Sequence, residues 1–298
     1  MRTFTVPLEI DLRRSLSPLV SSAQDPTIRL RPEAVIRSSV TPAGPATLQV
    51  TRSGPRTFRA EAWGPGAGWS LDHAPRLVGG DDALDGFRPD LHPFVARAHH
   101  HRPGLRIVRT GTVWDLLVPT ILAQRVTGGE AARAWTRLVR RYGDVAPGPG
   151  ELRLAPTPEV CAGLPDHVWH RMGVERSRAA AVRSAARHAA KLERALALPR
   201  PDRLRALCRV PGIGPWTAEL VLRSAAGDAD AVEIGDFHVK NQIAWNLADE
   251  PRGTDERMLE LLTPFAGHRG RVVRLVGTAG RRPPAFGHRL RVIPVDHL

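Results

Sequence analysis

Residues near the amino terminus alternate between apolar and polar positions in short runs. The runs cover residues 34–40, 46–52 and 57–63. Within the second run Leu48 and Val50 are separated by polar neighbours, which is the period of two of a strand with one buried face. Stretches rich in proline and glycine separate the runs and predict turns. This pattern predicts a small antiparallel sheet in an N-terminal α+β domain over residues 1–100.

From Thr112 onward the apolar positions recur at helical spacing. Thr112 with Asp115 and Thr127 with Glu130 fit the capping-box pattern of a helix start. Further helices are predicted over about 175–196, 203–209, 216–226, 236–248, 255–262 and 268–277. The predicted fold class is therefore mainly α, with a helical domain over residues 101–280 behind the α+β domain.

The chain is strongly basic, with a formal net charge of +13 and a sequence pI near 11.3. Such a balance favours a polyanionic partner, of which nucleic acid is the commonest. The only lysines are Lys191 and Lys240, so arginine carries the charge, and coding bias is an alternative explanation of that excess. Residues 281–298 are basic and contain prolines, which predicts an extended tail.

The two cysteines, Cys161 and Cys208, are too few for a disulfide framework, a zinc site or a four-cysteine iron–sulfur cluster. No apolar run has the length of a signal-peptide core or of a membrane span. These observations predict a reduced, cytoplasmic protein without a membrane anchor, and no cofactor is expected. The three histidines 99–101 cannot easily converge on one metal and are expected to be solvated.

A glycine-rich turn at residues 207–217 is the first candidate for chemistry. Gly212 and Gly214 permit a tight turn, and Pro215 suits the first position of a new helix. Backbone N–H groups of such a turn, together with the helix N-terminus, can hold a phosphate without reading sequence. An ordinary joint between two helices is the alternative. The residues expected to contact DNA here are Pro211, Gly212, Ile213, Gly214 and Thr217.

Asp236 is the second candidate, because an apolar, turn-like stretch leads to it just before a predicted helix. Aspartate is also a preferred N-cap, so Asp236 alone would indicate a cap more readily than a catalyst.

Together, the turn at 207–217 and the aspartate segment 234–240 resemble the signature of the helix-hairpin-helix DNA glycosylases, in order and in spacing. The resemblance is closest to the 3-methyladenine DNA glycosylase II family, which residues 102–106 and 119–127 also resemble. It covers about residues 100–277, with the hairpin at about 203–226, and the N-terminal sheet agrees with it only loosely.

The resemblance implies a role for several side chains. Asp236 would be the catalytic carboxylate, and Trp216 and Phe237 would line the base pocket, with core packing as the alternative for both aromatics. Gln124 and Arg125 would fill the gap left by a flipped base, although Arg125 can equally be a plain surface arginine. A monovalent cation could bind backbone carbonyls near Val210. The partner would be double-stranded DNA with damaged bases, and a monomer is expected.

The resemblance also sets the expected reaction. Bifunctional members carry a lysine nucleophile where this chain has Trp216, and tryptophan cannot form a Schiff base. A monofunctional glycosylase is therefore predicted, which flips out an alkylated base, hydrolyses its N-glycosidic bond and leaves the strand uncut. Leu220 and the late-helix stretch 274–277, which contains no aromatic residue, stand where the family can place pocket aromatics, which leaves the choice of base open.

Two alternatives to this function remain. One is a DNA-binding protein that keeps the hairpin without the chemistry, and the other is the same fold acting on oxidised or mismatched bases. A non-nucleic-acid enzyme is disfavoured because the chain has no phosphate-binding loop, dinucleotide fingerprint or metal motif.

Overall fold

The computed structural model describes residues 1–284, which are mainly helical with one small sheet, as the sequence predicted. The helices are α1 Leu12–Leu16, α2 Ala67–Leu77, α3 Pro93–His101, α4 Trp114–Leu122, α5 Gly128–Tyr142, α6 Pro158–Gly163, α7 Asp166–Arg171, α8 Arg176–Ala195, α9 Arg200–Cys208, α10 Pro215–Ala225, α11 Val239–Ala248, α12 Asp255–Leu262 and α13 Arg269–Ala279. The strands are β1 Arg2–Thr5, β2 Ile28–Leu30, β3 Ala34–Thr41, β4 Gly44–Arg52 and β5 Thr57–Trp63.

The sheet is antiparallel throughout, with the strand order β1-β5-β4-β3-β2. The three predicted strands are its centre. The sequence analysis missed β1 and β2 because edge strands of four and three residues are too short to show a period. It also missed α2, whose Ala74 and Leu77 are buried in the same core as Val50 and Phe58.

The helices pack around two further cores. Helices α4 to α10 bury a central cluster around Leu117, Trp135 and Leu222. Helix α3 lies in the predicted N-terminal domain, yet its Val95 packs with Val272 of α13 in a third cluster. The boundary near residue 100 therefore falls inside the third packing unit. The sequence analysis did not predict α3, and local periodicity cannot show which distant helices cover such an element.

The two predicted capping boxes differ in outcome. The box that begins at Thr127 is present, with reciprocal bonds to Glu130 at the start of α5. The box from Thr112 to Asp115 is wrong, because α4 has no side-chain cap of its own. A carboxylate from α8, that of Glu193, accepts the first N–H groups at 2.8 to 3.0 Å instead. Glu193 is 80 residues away along the chain, so the local pattern could not show it.

No helix within residues 1–284 is long and apolar enough to cross a membrane. Of the predicted tail 281–298, residues 281–284 form neither helix nor strand, and residues 285–298 lie outside the described part of the chain.

Helix α10 carries a buried carboxyl group, Glu219, whose side chain receives a hydrogen bond from Arg200 at 3.2 Å. Burial raises the pKa of Glu219 to about 7, although the Arg200 cation opposes that shift. The folded state thus retains this proton over a pH range in which an unfolded glutamate has lost it.

We expect the raised pKa of Glu219 to make the free energy of unfolding fall as the pH rises from about 4.5 to about 7. In that window the folded state binds more protons than the unfolded state, so the slope is negative. Glu219→Gln keeps the neutral shape and should be more stable than the wild type at pH 8, by up to about 3 kcal/mol. Urea denaturation of both proteins at pH 5 and pH 8 measures this difference, and parallel pH dependence of the two proteins would contradict it.

Candidate active site

The predicted hairpin joins α9 to α10 through residues 209–214. Gly212 has a φ of 87°, and a Cβ atom on it would lie 2.4 Å from the Cβ of Ala181, so only glycine fits there. Gly214 is the N-cap of α10 and Pro215 its first residue. Within residues 1–284 the N–H groups of Gly212 and Gly214 have no hydrogen-bond partner. The turn therefore presents free backbone donors at a helix N-terminus.

The five residues predicted to contact DNA here differ in exposure. Pro211, Gly212 and Gly214 are exposed, whereas the side chains of Ile213 and Thr217 are buried. Only the backbone of these last two residues can therefore approach a phosphate.

Gln124 ties the connector between α4 and α5 to this hairpin. Its Nε2 atom donates to the carbonyl of Gly212 and to Oγ1 of Thr217, both at 2.9 Å. The next residue, Arg125, has a φ of 57°, which is uncommon for a residue with a side chain. The Arg125 side chain is exposed and makes no hydrogen bond or ion pair with the rest of residues 1–284. Gln124 thus links the connector between α4 and α5 to the hairpin, and the exposed side chain of Arg125 lies beside the hairpin.

Two backbone carbonyls of the hairpin are the candidate ligands of the predicted monovalent cation. The Val210 carbonyl accepts the N–H of Ile213 at 3.0 Å, and the Gly212 carbonyl accepts Gln124 Nε2. Each carbonyl keeps one lone pair, and oxygen ligands suit a hard cation. The cation site stays a prediction.

Asp236 is half-buried and held by three N–H donors. Its Oδ1 atom accepts the N–H groups of His238 and Val239 at 2.7 and 2.9 Å, at the start of α11. Its Oδ2 atom accepts the indole N–H of Trp216 at 2.9 Å. Helix α11 begins at Val239 with His238 as its N-cap, so Asp236 is not the predicted N-cap residue. It instead accepts the first N–H groups of the helix with one oxygen and is positioned by Trp216 through the other.

The two predicted pocket aromatics lie in different surroundings. Trp216 is half-buried and lines a cavity of about 260 Å³. Phe237 is 75% exposed, contacts only the ring of His238 edge-on among aromatic groups, and does not line that cavity. Its exposure excludes the core-packing alternative and places the ring on the surface beside Asp236.

Neither lysine of the chain contacts the carboxylate of Asp236. Lys240 lies one turn further along α11, with Nζ 3.8 Å from a carboxylate oxygen of Asp255. Lys191 is exposed on α8. Position 216, 20 residues before Asp236, holds the tryptophan that bonds to it.

The cavity lies between the sheet and helices α4, α5 and α10. On α10 it is lined by Trp216, Leu220 and Arg223. Arg223 pairs with Glu233, both buried, just before the Asp236 turn. Arg274 does not line the cavity and instead donates to the carbonyl of Arg14.

Sequence reasoning missed the polar groups of this cavity. Asp25, Arg37 and Asp115 line it, and Asp115 was predicted only as part of a helix cap. One signal was present: Arg37 occupies the inward register of β3, alternating with the buried Val35. A charged residue at a core-facing strand position indicates a partner or a ligand.

Comparisons with known proteins agree with this arrangement. Residues 118–266 match the family described as HhH-GPD superfamily base excision DNA repair protein. A probable bifunctional transcriptional activator/DNA repair enzyme AlkA of Mycobacterium tuberculosis is 33% identical over 173 residues, which are 57% of this chain and 33% of that protein. The chain thus spans about a third of the length of the curated relatives it matches.

Solved structures share the fold over nearly the whole chain. A 3-methyladenine DNA glycosylase from Archaeoglobus fulgidus has a TM-score of 0.79 at 18% identity, over 93% of this chain and 97% of that one. An 8-oxoguanine glycosylase/lyase of Clostridium acetobutylicum, bound to double-stranded DNA, has a TM-score of 0.68 at 12% identity, over 93% and 98%. Since the family match spans half of the chain and includes both the hairpin and Asp236, the protein belongs to the HhH-GPD superfamily of base excision DNA repair proteins.

Proposed function

We propose that this protein is a monofunctional DNA glycosylase that flips a damaged, alkylated base out of double-stranded DNA and hydrolyses its N-glycosidic bond. The hydrogen bond between Trp216 and Asp236 carries the proposal, because it joins a base-sized cavity to a carboxylate. A base in the cavity against Trp216 has its sugar near Asp236.

Asp236 stabilises the charge that develops during bond breaking. The base leaves with the electron pair of the glycosidic bond, and the sugar becomes cationic. A fixed carboxylate beside the sugar lowers the energy of that cation. The three N–H groups that bond to Asp236 already hold it in place, so the carboxylate does not have to reorganise as the charge develops. Water then adds to the sugar carbon and loses a proton, for which the carboxylate is the nearest acceptor. The product is a free base and an abasic site.

The hairpin and Arg125 supply the grip on DNA. Free N–H groups at Gly212 and Gly214 suit a phosphate, and the helix dipole of α10 adds to the attraction. Arg125 projects beside them, and its planar guanidinium can stack on the bases left without a partner. The basic charge of the chain fits a duplex as the partner.

The residue at position 216 separates this proposal from a glycosylase/lyase. The fold alone does not, because similar structures include a glycosylase/lyase. A lyase needs an amine that attacks the sugar carbon to form a Schiff base. Trp216 offers none, and Lys240 lies beside Asp255 instead.

We expect lesion-containing duplexes to be nicked only after alkali treatment, and borohydride to trap no covalent protein–DNA adduct. Duplexes with single alkylated, deaminated or oxidised bases, scored first for free base and then for alkali-labile sites, measure both points. A glycosylase/lyase assayed in parallel is the control for trapping. A borohydride-trapped adduct would contradict the monofunctional assignment, and tight binding without release of any base would favour the non-catalytic alternative.

A further inference from the structure

The two ends of the cavity can be assigned because α4 and α10 run antiparallel along it. At one end Gln124, just after α4, bonds to Gly212 and Thr217 at the start of α10. At the other end the N–H of Thr110, just before α4, donates to the carbonyl of Ser224 at 2.8 Å. The cavity therefore runs from Trp216, beside Asp236, towards the far end of α10.

The walls leave room for one flat group. The small side chain of Ala123, just after α4, and those of Ala131 and Ala132 of α5 line the cavity, and Trp135 lies further along α5. Pockets for drug-sized ligands have volumes of roughly 300 to 1,000 Å³, so a cavity of about 260 Å³ suits a smaller ligand, such as a single base.

The polar end of the cavity is a buried ion pair. Arg37 of β3 donates from Nη2 to Oδ2 of Asp115 at 3.2 Å, and the two side chains are only 9% and 7% exposed. Asp115 lies in the first turn of α4, nine residues before Gln124, so it is roughly 13 Å along the helices from the level at which Gln124 meets the start of α10. A base that stacks at Trp216 would direct its far edge towards this pair.

Both members of the pair have unused hydrogen-bonding capacity. Arg37 has five N–H donors, and the bond to Asp115 is the one hydrogen bond its guanidinium makes within residues 1–284. The other carboxylate oxygen, Oδ1 of Asp115, is buried and makes no hydrogen bond of normal geometry. Burial raises the pKa of the Asp115 carboxyl, and the Arg37 cation and the backbone of Val40 oppose that shift with smaller effects. Buried polar atoms normally have hydrogen-bond partners. The guanidinium of Arg37 can therefore bond a further acceptor, and Oδ1 of Asp115 can bond a further donor.

Asp25, the other carboxylate of the cavity, has hydrogen-bond partners on both of its oxygens. It accepts hydrogen bonds from Ser21, Thr27 and Trp135. Its oxygens are thus fully engaged in holding the loop before β2, and it offers nothing to a ligand.

We propose that Arg37 and Asp115 form the specificity end of the base pocket and select a 6-oxopurine, the guanine or hypoxanthine type of damaged base. The edge of such a base carries a carbonyl oxygen next to a ring N–H. Arginine is the usual partner of that carbonyl in DNA recognition, and a carboxylate oxygen accepts the adjacent N–H. A 6-aminopurine has the opposite donor and acceptor order and leaves Arg37 without its carbonyl. This inference rests on the proposed glycosylase function.

The test uses one DNA substrate with an internal comparison. Duplex DNA treated with dimethyl sulfate contains both 7-methylguanine, a 6-oxopurine, and 3-methyladenine, a 6-aminopurine. The double variant Arg37→Met/Asp115→Leu replaces the buried pair with apolar groups of similar volume, an exchange that folds tolerate far better than loss of one partner. Glu219→Gln, which removes the buried carboxylate of another ion pair outside the cavity lining, is the control for loss of such a pair.

We expect the double variant to lower the release of 7-methylguanine relative to 3-methyladenine by about 10-fold or more, the effect of losing a hydrogen bond to a charged group. The control should keep the wild-type ratio. An unchanged ratio in a folded double variant would overturn the proposal, and so would an equal loss of both bases. Ala132→Phe fills the cavity and should stop the release of both bases, whereas normal release from this variant would place the base elsewhere.

A binding measurement separates this inference from the proposed function. Trp135 and Trp216 line the cavity, so a bound base should quench tryptophan fluorescence. We expect free hypoxanthine to quench the wild type more strongly than free adenine, and the double variant to lose this preference. Absence of base release from any DNA would refute the glycosylase function while this preference could still be seen, and equal quenching by both bases would overturn the pocket assignment even if base release occurs.

Discussion

Asp236→Asn is expected to lower base release by about 100-fold or more while the protein stays folded and binds DNA. The substitution removes the negative charge that stabilises the sugar cation, and losses of preorganised electrostatic stabilisation are typically of this size. The amide oxygen of asparagine can still accept the N–H groups of His238 and Val239, so the start of α11 keeps its cap. Affinity for DNA should stay equal or rise, because one charge that repels phosphate is gone.

The Trp216 contact makes a second variant necessary. In Asp236→Asn with the cap retained, the amide NH₂ would face the indole N–H of Trp216, and two donors cannot bond. Trp216→Phe removes the indole donor but keeps the charge of Asp236 and an aromatic wall. We expect Trp216→Phe to lose much less activity than Asp236→Asn, because the carboxylate is still held by two backbone donors.

Single-turnover excision from a lesion duplex, measured with thermal unfolding and DNA binding for each variant, checks this prediction. Undiminished excision by a folded Asp236→Asn protein would eliminate Asp236 as the catalytic carboxylate. Equal losses in both variants would show that the indole contact, rather than the charge, sets the rate.

The sequence predicted those parts of the site that depend on short segments. The hairpin glycines, the Thr127 capping box and the strands of the sheet centre all follow from local periodicity and turn chemistry. The resemblance to a known family singled out Trp216 and Asp236 as a pair, and the structure brings the two side chains into contact. Their roles in catalysis stay predictions.

The remaining features depend on contacts between distant segments. Arg37 meets Asp115 across 78 positions, and Glu193 caps α4 across 80 positions. A single sequence shows that such residues are polar in an apolar setting, but it cannot show which of them meet. The resemblance implied a pocket position for Phe237, whereas the path of the chain around Asp236 leaves its ring exposed.

Gly214→Val is expected to weaken binding to undamaged duplex DNA on the order of 100-fold at low salt, with a loss of stability of about 1 kcal/mol at most, since valine is a poorer N-cap than glycine. A Cβ atom added at Gly214 meets no atom within 4 Å in the free protein, and the φ of −93° and ψ of 179° suit a β-branched residue before proline. It would, however, occupy the space in which a phosphate reaches the first N–H groups of α10. Each charge-assisted hydrogen bond lost there removes about 1.5 to 3 kcal/mol.

Gly68→Val is the matched control, because Gly68 in α2 also has nothing within 4 Å of an added Cβ and lies far from the hairpin in the chain. Affinities measured from 50 to 200 mM salt add a second readout, since each lost phosphate contact lowers the slope of log affinity against log salt by roughly one unit. We expect a reduced slope for the Gly214 variant and the wild-type slope for the control. Wild-type affinity and slope in a folded Gly214→Val protein would show that the hairpin does not hold a phosphate, and the grip on DNA would then have to come from other basic groups.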